Sequence, residues 1–283
     1  MKENYIYNED CLLTLKRMKD NSVDLVITSP PYNMNLRIRN GKYCSRQIVK
    51  EISTKYTEFD DNLPIDEYNK FHTDVLRELL RVSDLIFYNI QIVTGSKRSI
   101  FKMIGEFSEN LKEIIVWDKG NGQPAMQQQV LNRRTELILV FEKDYPISRQ
   151  FRKRGEFKRG TLDDLWLIKR GKKVGGKKHG AVFPEELVET ILNNFSKKND
   201  MVYDPFMGTG TTAVVCKKLK RKYIGSEISE EYIQITKERL ANMEIPTEYQ
   251  VPNDWVFEGH TREWGTQWLS TRFPYIHIHH ICI

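Results

Sequence analysis

The chain has 283 residues, 40% of them hydrophobic and 29% charged, and a formal net charge of +6. That is enough sequence for one large domain or two small ones with a sizeable core. No apolar run approaches the roughly 18 residues of a membrane span, and the opening MKENYIYNED has no signal-peptide core. Cys11, Cys44, Cys216 and Cys282 show neither metal nor disulfide spacing. These features lead to the expectation of a cytoplasmic protein without a membrane span.

In chain order, Tyr5–Tyr7 alternates like a short strand, and CLLTLKRM places Leu12, Leu15 and Met18 on one helical face. Residues 23–28 form an aliphatic, β-branched strand. Residues 33–62 are polar, contain Gly41 and have no sustained period, which predicts a long mobile loop. IDEYNKFHTDVLRELLRV reads as a helix started by Pro64 or Asp66, followed by the strand DLIFYNI and the helix SKRSIFKMIGEF. KEIIVWDK and ELILVFEK are two more strands. After a basic stretch come the helix FPEELVETILNNF, a strand, glycine turn, helix and strand in DMVYDPFMGTGTTAVVCKKLKRKYIGSEIS, and a last helix ending near Ile245. The alternation predicts an α/β fold: a doubly wound, mostly parallel sheet with helices on both faces.

Two stretches carry chemistry. In VDLVITSPPYN the strand must stop at Pro30 and Pro31, which cannot donate to a ladder and which stiffen the exit between Ser29 and Tyr32. In VYDPFMGTGTTAVVC, Asp204 ends a strand, Gly208 and Gly210 permit a tight turn, and Thr211 and Thr212 are placed to satisfy N–H groups at the helix start. Glu227, near the end of the next strand, suits a ribose diol. The turn lacks the GK[ST] ending of a phosphate loop and the third glycine of GxGxxG. An acid at the strand end favours a cationic ligand such as S-adenosylmethionine over a pyrophosphate. Alone, the turn is equally an ordinary helix start.

Twelve basic residues lie between Arg149 and Lys178, opposed only by Glu156, Asp163 and Asp164. The run comprises Arg149, Arg152, Lys153, Arg154, Lys158, Arg159, Lys169, Arg170, Lys172, Lys173, Lys177 and Lys178. Such an excess suits a polyanion, although a solvated basic loop gives the same pattern.

Together, TSPPY at 28–32 and DPFMGTGTT at 204–212 resemble the two signature motifs of the DNA amino-methyltransferases. Their order resembles the β class found in restriction-modification systems, and the likeness runs from about Tyr5 to Met243. The resemblance implies a Rossmann-like methyltransferase fold and S-adenosyl-L-methionine as cofactor, held by Asp10, Cys11, Thr28, Asp204, Pro205, Phe206, Gly208, Gly210, Thr211, Thr212 and Glu227. KHGAVFP adds His179 and Phe183, which would close over the methionine part. Residues 1–245 would be the catalytic domain, 144–178 its target-recognition region, and 246–283 a tail without an assigned role. DLWLI at 164–168 resembles a segment of that region.

The same resemblance gives the corner its chemistry. An exocyclic base amine is a poor nucleophile until acceptors take its hydrogens. Ser29 Oγ and the Pro30 carbonyl are the expected acceptors, held by Pro30 and Pro31, with Tyr32 as a stacking face for a flipped base. Ser29 favours cytosine N4 as the target, and the YN ending keeps adenine N6 open. Arg37, Arg39 and Lys42 are expected near phosphate, with the basic run on the duplex. Double-stranded DNA is the implied partner, and the reading admits a cognate restriction endonuclease and a homodimer. A non-catalytic nucleic-acid binder, an RNA or small-molecule methyltransferase and a nicotinamide dehydrogenase are the rivals. His277, His279 and His280 are the nearest approach to a metal cluster, and the chemistry requires no metal.

Overall fold

The computed structural model describes residues 1–33, 36–39, 42–45, 63–93, 95–123, 128–171 and 183–243. In chain order the elements are β1 (Tyr5–Tyr7), α1 (Cys11–Arg17), β2 (Leu25–Thr28), β3 (Leu36–Arg39), β4 (Lys42–Ser45), α2 (Ile65–Val82), β5 (Leu85–Ile90) and α3 (Lys97–Glu106). Next come β6 (Leu111–Gln123), β7 (Arg133–Glu142), β8 (Leu165–Leu167), α4 (Glu185–Phe195), β9 (Met201–Asp204), α5 (Thr211–Lys218), β10 (Lys222–Ser226) and α6 (Glu230–Ala241). Eight strands form one sheet in the order β1-β10-β9-β2-β5-β7-β6-β8, with only β7 antiparallel to its neighbours. The expected doubly wound, mostly parallel sheet is what the chain forms.

The central strands read as unbroken apolar runs because both of their faces are covered. Val26, Ile86 and Tyr88 point into a core shared with Leu15, Leu76, Leu79 and Met103. Their neighbours Leu25, Ile27, Leu85 and Phe87 point the other way, onto Leu187, Ile191, Phe195 and Val215. Parallel register sets β2 beside β9, with Val26 opposite Tyr203, and beside β5, with Thr28 opposite Tyr88. The chain's two motif-bearing strand ends therefore emerge next to each other at the carboxyl edge of the sheet. Ligands bind at that edge in open α/β sheets.

Part of the expected loop at 33–62 is ordered as an antiparallel hairpin, β3 with β4, with Arg39 opposite Lys42. The side chains of Arg37, Arg39 and Lys42 lie outside the described residues. Sequence period missed the hairpin because its strands are four residues each, too short for alternation to stand out. Asn33 closes this excursion: its amide donates to the Leu63 carbonyl and accepts from the Leu63 N–H, both at 2.8 Å. Asn33 has φ 51°, a left-handed conformation that asparagine tolerates better than most residues.

The basic run divides. Lys153 pairs with Asp144 and with Asp84 at 3.3 Å, and Arg154 pairs with Asp24 and with Asp200 at 3.2 Å. Asp84, Asp24 and Asp200 directly precede β5, β2 and β9, at the amino edge of the sheet. Phe151 and Phe157 pack on Phe195, with ring centroids 5.0 and 5.3 Å away. Lys112, near the start of β6, donates to the carbonyls of Tyr145 and Gln150, and Arg152 lies over the Tyr145 ring. The four residues of β2 separate Asp24 at this edge from Ser29, a distance of about 16 Å along the strand. Of the basic residues expected on the duplex, Lys153 and Arg154 are thus paired with acidic residues at this edge, Arg152 lies on Tyr145, and Arg149 is exposed beside them. Lys158 and Arg159 are exposed on the connection to β8.

Within DLWLI, Leu165–Leu167 form β8, which pairs in parallel with β6, and Trp117 Nε1 donates to the Ile168 carbonyl at 2.7 Å. Because β8 starts level with Val116, which β7 aligns with Ile90, its exit carries Lys169 and Arg170 out at the carboxyl edge. Lys172, Lys173, the rest of the run to Lys178 and the tail 246–283 lie outside the described residues.

Arg154→Ala, which strands two acids, is expected to lower unfolding free energy by about 1–3 kcal/mol while leaving the affinity for a short DNA duplex unchanged. Urea denaturation and fluorescence anisotropy measure the two effects separately.

Candidate active site

At the carboxyl edge the chain leaves β2 through Ser29, Pro30, Pro31 and Tyr32. Both prolines are buried, and the Pro31 carbonyl accepts from Tyr68 Oη at 2.7 Å. Ser96 Oγ donates to the Tyr32 carbonyl at 3.4 Å. The corner is thus braced from α2 and from the start of α3 as well as by its proline torsions.

Tyr32 is only 6% exposed. Its hydroxyl contacts Ser29 Oγ at 2.7 Å, donates to Glu136 Oε2 at 3.0 Å and accepts from Asn89 Nδ2 at 2.8 Å. Asn89 Nδ2 also donates to Glu136 Oε2 at 2.9 Å, and Lys119 Nζ donates to Glu136 Oε1 at 2.9 Å. Three polar groups anchor the Tyr32 hydroxyl from behind, and packing covers most of the ring expected as a stacking face. No sequence motif marks Asn89, Lys119 and Glu136 as site residues. The only hints were one amide in an otherwise apolar strand and two charges flanking apolar runs.

The second motif builds a turn on the adjacent strand. Asp204 is 2% exposed. Its Oδ1 accepts from Thr28 Oγ1 at 3.1 Å and from the Phe206 N–H at 3.0 Å, and its Oδ2 accepts from Thr212 Oγ1 at 2.6 Å. The carboxylate organises the turn from within. Thr211 and Thr212 do not cap α5 as expected: Gly210 occupies the N-cap, Thr212 serves Asp204, and Thr211 Oγ1 accepts from Arg239 at 3.3 Å. Pro205 is buried beside Asp204, and the Phe206 ring lies 5.7 Å from that of Phe71.

Gly210 has φ 81°, and a Cβ there would sit 2.2 Å from Thr236 Cγ2. Gly208 has φ 53°, and its N–H donates to Glu227 Oε2 at 2.7 Å. Glu227 Oε1 accepts from the Ser229 N–H at 2.9 Å, so backbone donors fix the acid beside the turn. Arg239 donates to the Thr209 carbonyl at 2.6 Å and pairs with Glu185 at 2.9 Å, tying the turn to α4 and α6. Thr209 Oγ1 is buried with no hydrogen-bond partner among the described residues. A turn with glycine at 208 and 210, a fixed carboxylate and a buried hydroxyl without a partner among the described residues form a cradle that fits a nucleoside with a diol.

Of the other residues expected here, Asp10 caps α1, accepting from the Leu12 N–H at 2.8 Å. Cys11 is packed in the core, where burial pushes its thiol pKa up, so it supplies shape and no charge. Phe183 is half-buried just before α4, and His179 lies outside the described residues.

Two outcomes test this geometry. Burial raises the Asp204 carboxyl from its ordinary 3.8 to about 6. The folded state then holds a proton that the unfolded chain has released, so this contribution is full below pH 3.8 and is lost as pH rises through about 6. At 1.4 kcal/mol per pH unit, wild type is expected to lose about 2 kcal/mol relative to Asp204→Asn between pH 4 and pH 7, read by urea denaturation. Gly210→Ala is expected to weaken cofactor binding by ~10-fold or more through its left-handed φ and steric overlap, with partial recovery in Gly210→Ala/Thr236→Ala. Calorimetric titration with the cofactor decides.

Comparison with known proteins places this geometry. The sequence profile of the N6_N4_Mtase family, described as DNA methylase, matches residues 23–238. The Type II methyltransferase M.BglII of Bacillus subtilis is 30% identical, over 84% of this chain and 69% of its own. M2.LlaDCHI, a Type II methyltransferase of Lactococcus lactis subsp. cremoris, is 31% identical, over 84% of this chain and 90% of its own. Among solved structures, the cytosine-N4-specific PvuII DNA methyltransferase superposes with a TM-score of 0.63 at 19% identity, covering 84% of this chain and 86% of that one. The M1.HpyAVI complex with its SAM ligand gives 0.53 at 22% identity, covering 83% and 98%. Those two likenesses establish the fold, and with the profile match and the two sequence relatives, the chain belongs to the N6/N4 DNA methylase family, in its β-class order with the TSPPY corner first and the glycine turn last.

Proposed function

We propose that the chain moves a methyl group from S-adenosyl-L-methionine to the exocyclic N4 amine of a cytosine flipped out of duplex DNA. The observation that carries this reading is the Thr28 Oγ1 to Asp204 Oδ1 hydrogen bond of 3.1 Å. It joins the last residue of β2 to the last residue of β9, so the corner and the cofactor turn face one space.

When bound, the cofactor supplies a sulfonium-activated methyl group, and the amine gains the methyl as the sulfur keeps the bonding pair. The remaining steps belong to this chain. Gly208, Gly210 and the Asp204–Phe206 backbone shape the cradle, Glu227 offers its carboxylate to the ribose, and Phe206 and Phe183 wall the site. Ser29 Oγ and the Pro30 carbonyl accept the two amine hydrogens, which localises the nitrogen lone pair toward the methyl. The methylated ammonium is acidic enough to lose its proton to water, so no strong base is needed.

Ser29 supports cytosine over adenine. The YN ending keeps adenine N6 as the alternative target. Lys169 and Arg170, with Lys172, Lys173, Arg37, Arg39 and Lys42, form the proposed phosphate-contacting set; Arg149, Arg152, Lys153 and Arg154 leave it. Residues 1–245 act as the catalytic unit, and an endonuclease of the same sequence specificity is the partner this reading implies.

Incubation with labelled S-adenosylmethionine and unmethylated duplex DNA is expected to give N4-methylcytosine on nucleoside analysis. N6-methyladenine would move the target and keep the enzyme class, whereas an intact protein that labels no DNA would end the reading. Ser29→Ala is expected to cut turnover by ~100-fold, as for loss of one preorganised hydrogen-bond group, with cofactor affinity unchanged.

A further inference from the structure

The hydrogen bonds behind the corner have a direction, and that direction fixes what Ser29 presents to a substrate. A tyrosine hydroxyl has one proton to give and two lone pairs to receive with. Tyr32 spends its proton on Glu136 Oε2 at 3.0 Å, and a carboxylate can only accept. Asn89 Nδ2 donates to Tyr32 Oη at 2.8 Å and to Glu136 Oε2 at 2.9 Å, and the same nitrogen makes a longer contact of 3.4 Å with Ser29 Oγ, which can only accept there. The 2.7 Å contact between Ser29 Oγ and Tyr32 Oη must then be filled by the serine proton. The Asn89 amide cannot be reversed, since its oxygen would face the carboxylate of Glu136. The other oxygen of Glu136 is held by Lys119, which is 3% exposed and lies 2.9 Å away.

Resting on the methyl-transfer reading above, we propose that Glu136, held by Lys119, is a positioning residue that polarises the chain Ser29 to Tyr32 to Glu136, so that Ser29 Oγ meets the target amine as an acceptor only. A serine left to itself presents a donor about as readily as an acceptor, and a donated proton would bind the amine's lone pair that the reaction needs. With its proton committed inward, the oxygen has only lone pairs to offer. Tyr32 relays this polarity through its hydroxyl, which joins Ser29 Oγ to Glu136 Oε2.

The test uses the full chain, labelled S-adenosylmethionine and duplex DNA. In Glu136→Gln, Lys119 keeps the amide oxygen and the amide nitrogen turns to Tyr32, which reverses the chain. Turnover is expected to fall by ~10- to 100-fold, with cofactor affinity and the KM for DNA changed less than about 2-fold. Tyr32→Phe, which keeps the ring and breaks the relay, is expected to lose a similar factor. The deciding result is non-additivity: Glu136→Gln should cost almost nothing further in a Tyr32→Phe or Ser29→Ala background. A structural role for Glu136 would instead cost the same factor in every background, and that result, or full turnover in Glu136→Gln, overturns the proposal. Should Glu136→Gln fail to bind cofactor, the pair Tyr32→Phe and Ser29→Ala decides by the same criterion, with multiplying losses counting against it. A wild-type protein that labels no DNA removes the functional reading itself, and this proposal with it.

Discussion

The parallel pairing of β2 with β9 is the constraint on which the site depends. The two strands lie about 4.8 Å apart, and both end at the same edge, one in Thr28 and the other in Asp204. The hydrogen bond between those two side chains welds a corner from the start of the sequence to a turn from near its end, 176 residues later. A one-residue slip in either strand would turn Thr28 and Asp204 to opposite faces and separate the two halves of the site. Register is held by burial on both faces: Leu25, Ile27 and Val202 fill one core and Val26 and Tyr203 the other.

Charge is buried at the site for a reason other than stability. The Lys119–Glu136 pair and the Asp204 carboxylate both sit in low-dielectric surroundings, where desolvation offsets much of what their partners return. Each is instead satisfied by directed donors: Asn89, Tyr32 and Lys119 around one acid, and Thr28, Thr212 and the Phe206 N–H around the other. Such networks fix orientation, and orientation is what a methyl transfer between two bound groups requires. The surface charges at the amino edge serve a different end. Arg154 and Lys153 lock the β7–β8 connection to the strand starts, and the same residue types that suggested a polyanion site act there as anchors.

Much of this was legible in the sequence. The strands were visible because a sheet covered on both faces demands apolar runs, and α2 because its leucines recur at helical spacing. TSPPY and DPFMGTGTT marked the two halves of the site, since Pro30 and Pro31 force an exit and Gly210 tolerates a contact that any Cβ would forbid. What stayed hidden was long-range pairing. Asn89, Glu136 and Lys119 are unremarkable at their own positions and meet Tyr32 only when β5, β7 and β6 stand side by side. Composition alone could not divide the basic run, because counting charges ignores which acids the fold brings to meet them. The hydroxyls of Thr211 and Thr212 were misassigned for a related reason: local helix rules place them at a start, whereas Asp204 and Arg239 recruit them from other elements.

In the proposed reaction a base amine is held at Ser29 with the methyl donor on its far side. A crystal structure of the chain with duplex DNA and an unreactive analogue of the donor would show this arrangement. The expected result is an extrahelical base whose exocyclic nitrogen lies about 2.7–3.2 Å from Ser29 Oγ, with the analogue in the Asp204–Gly210 turn on the opposite side of that nitrogen. An analogue bound elsewhere, or a base seated with its amine away from Ser29, would contradict it.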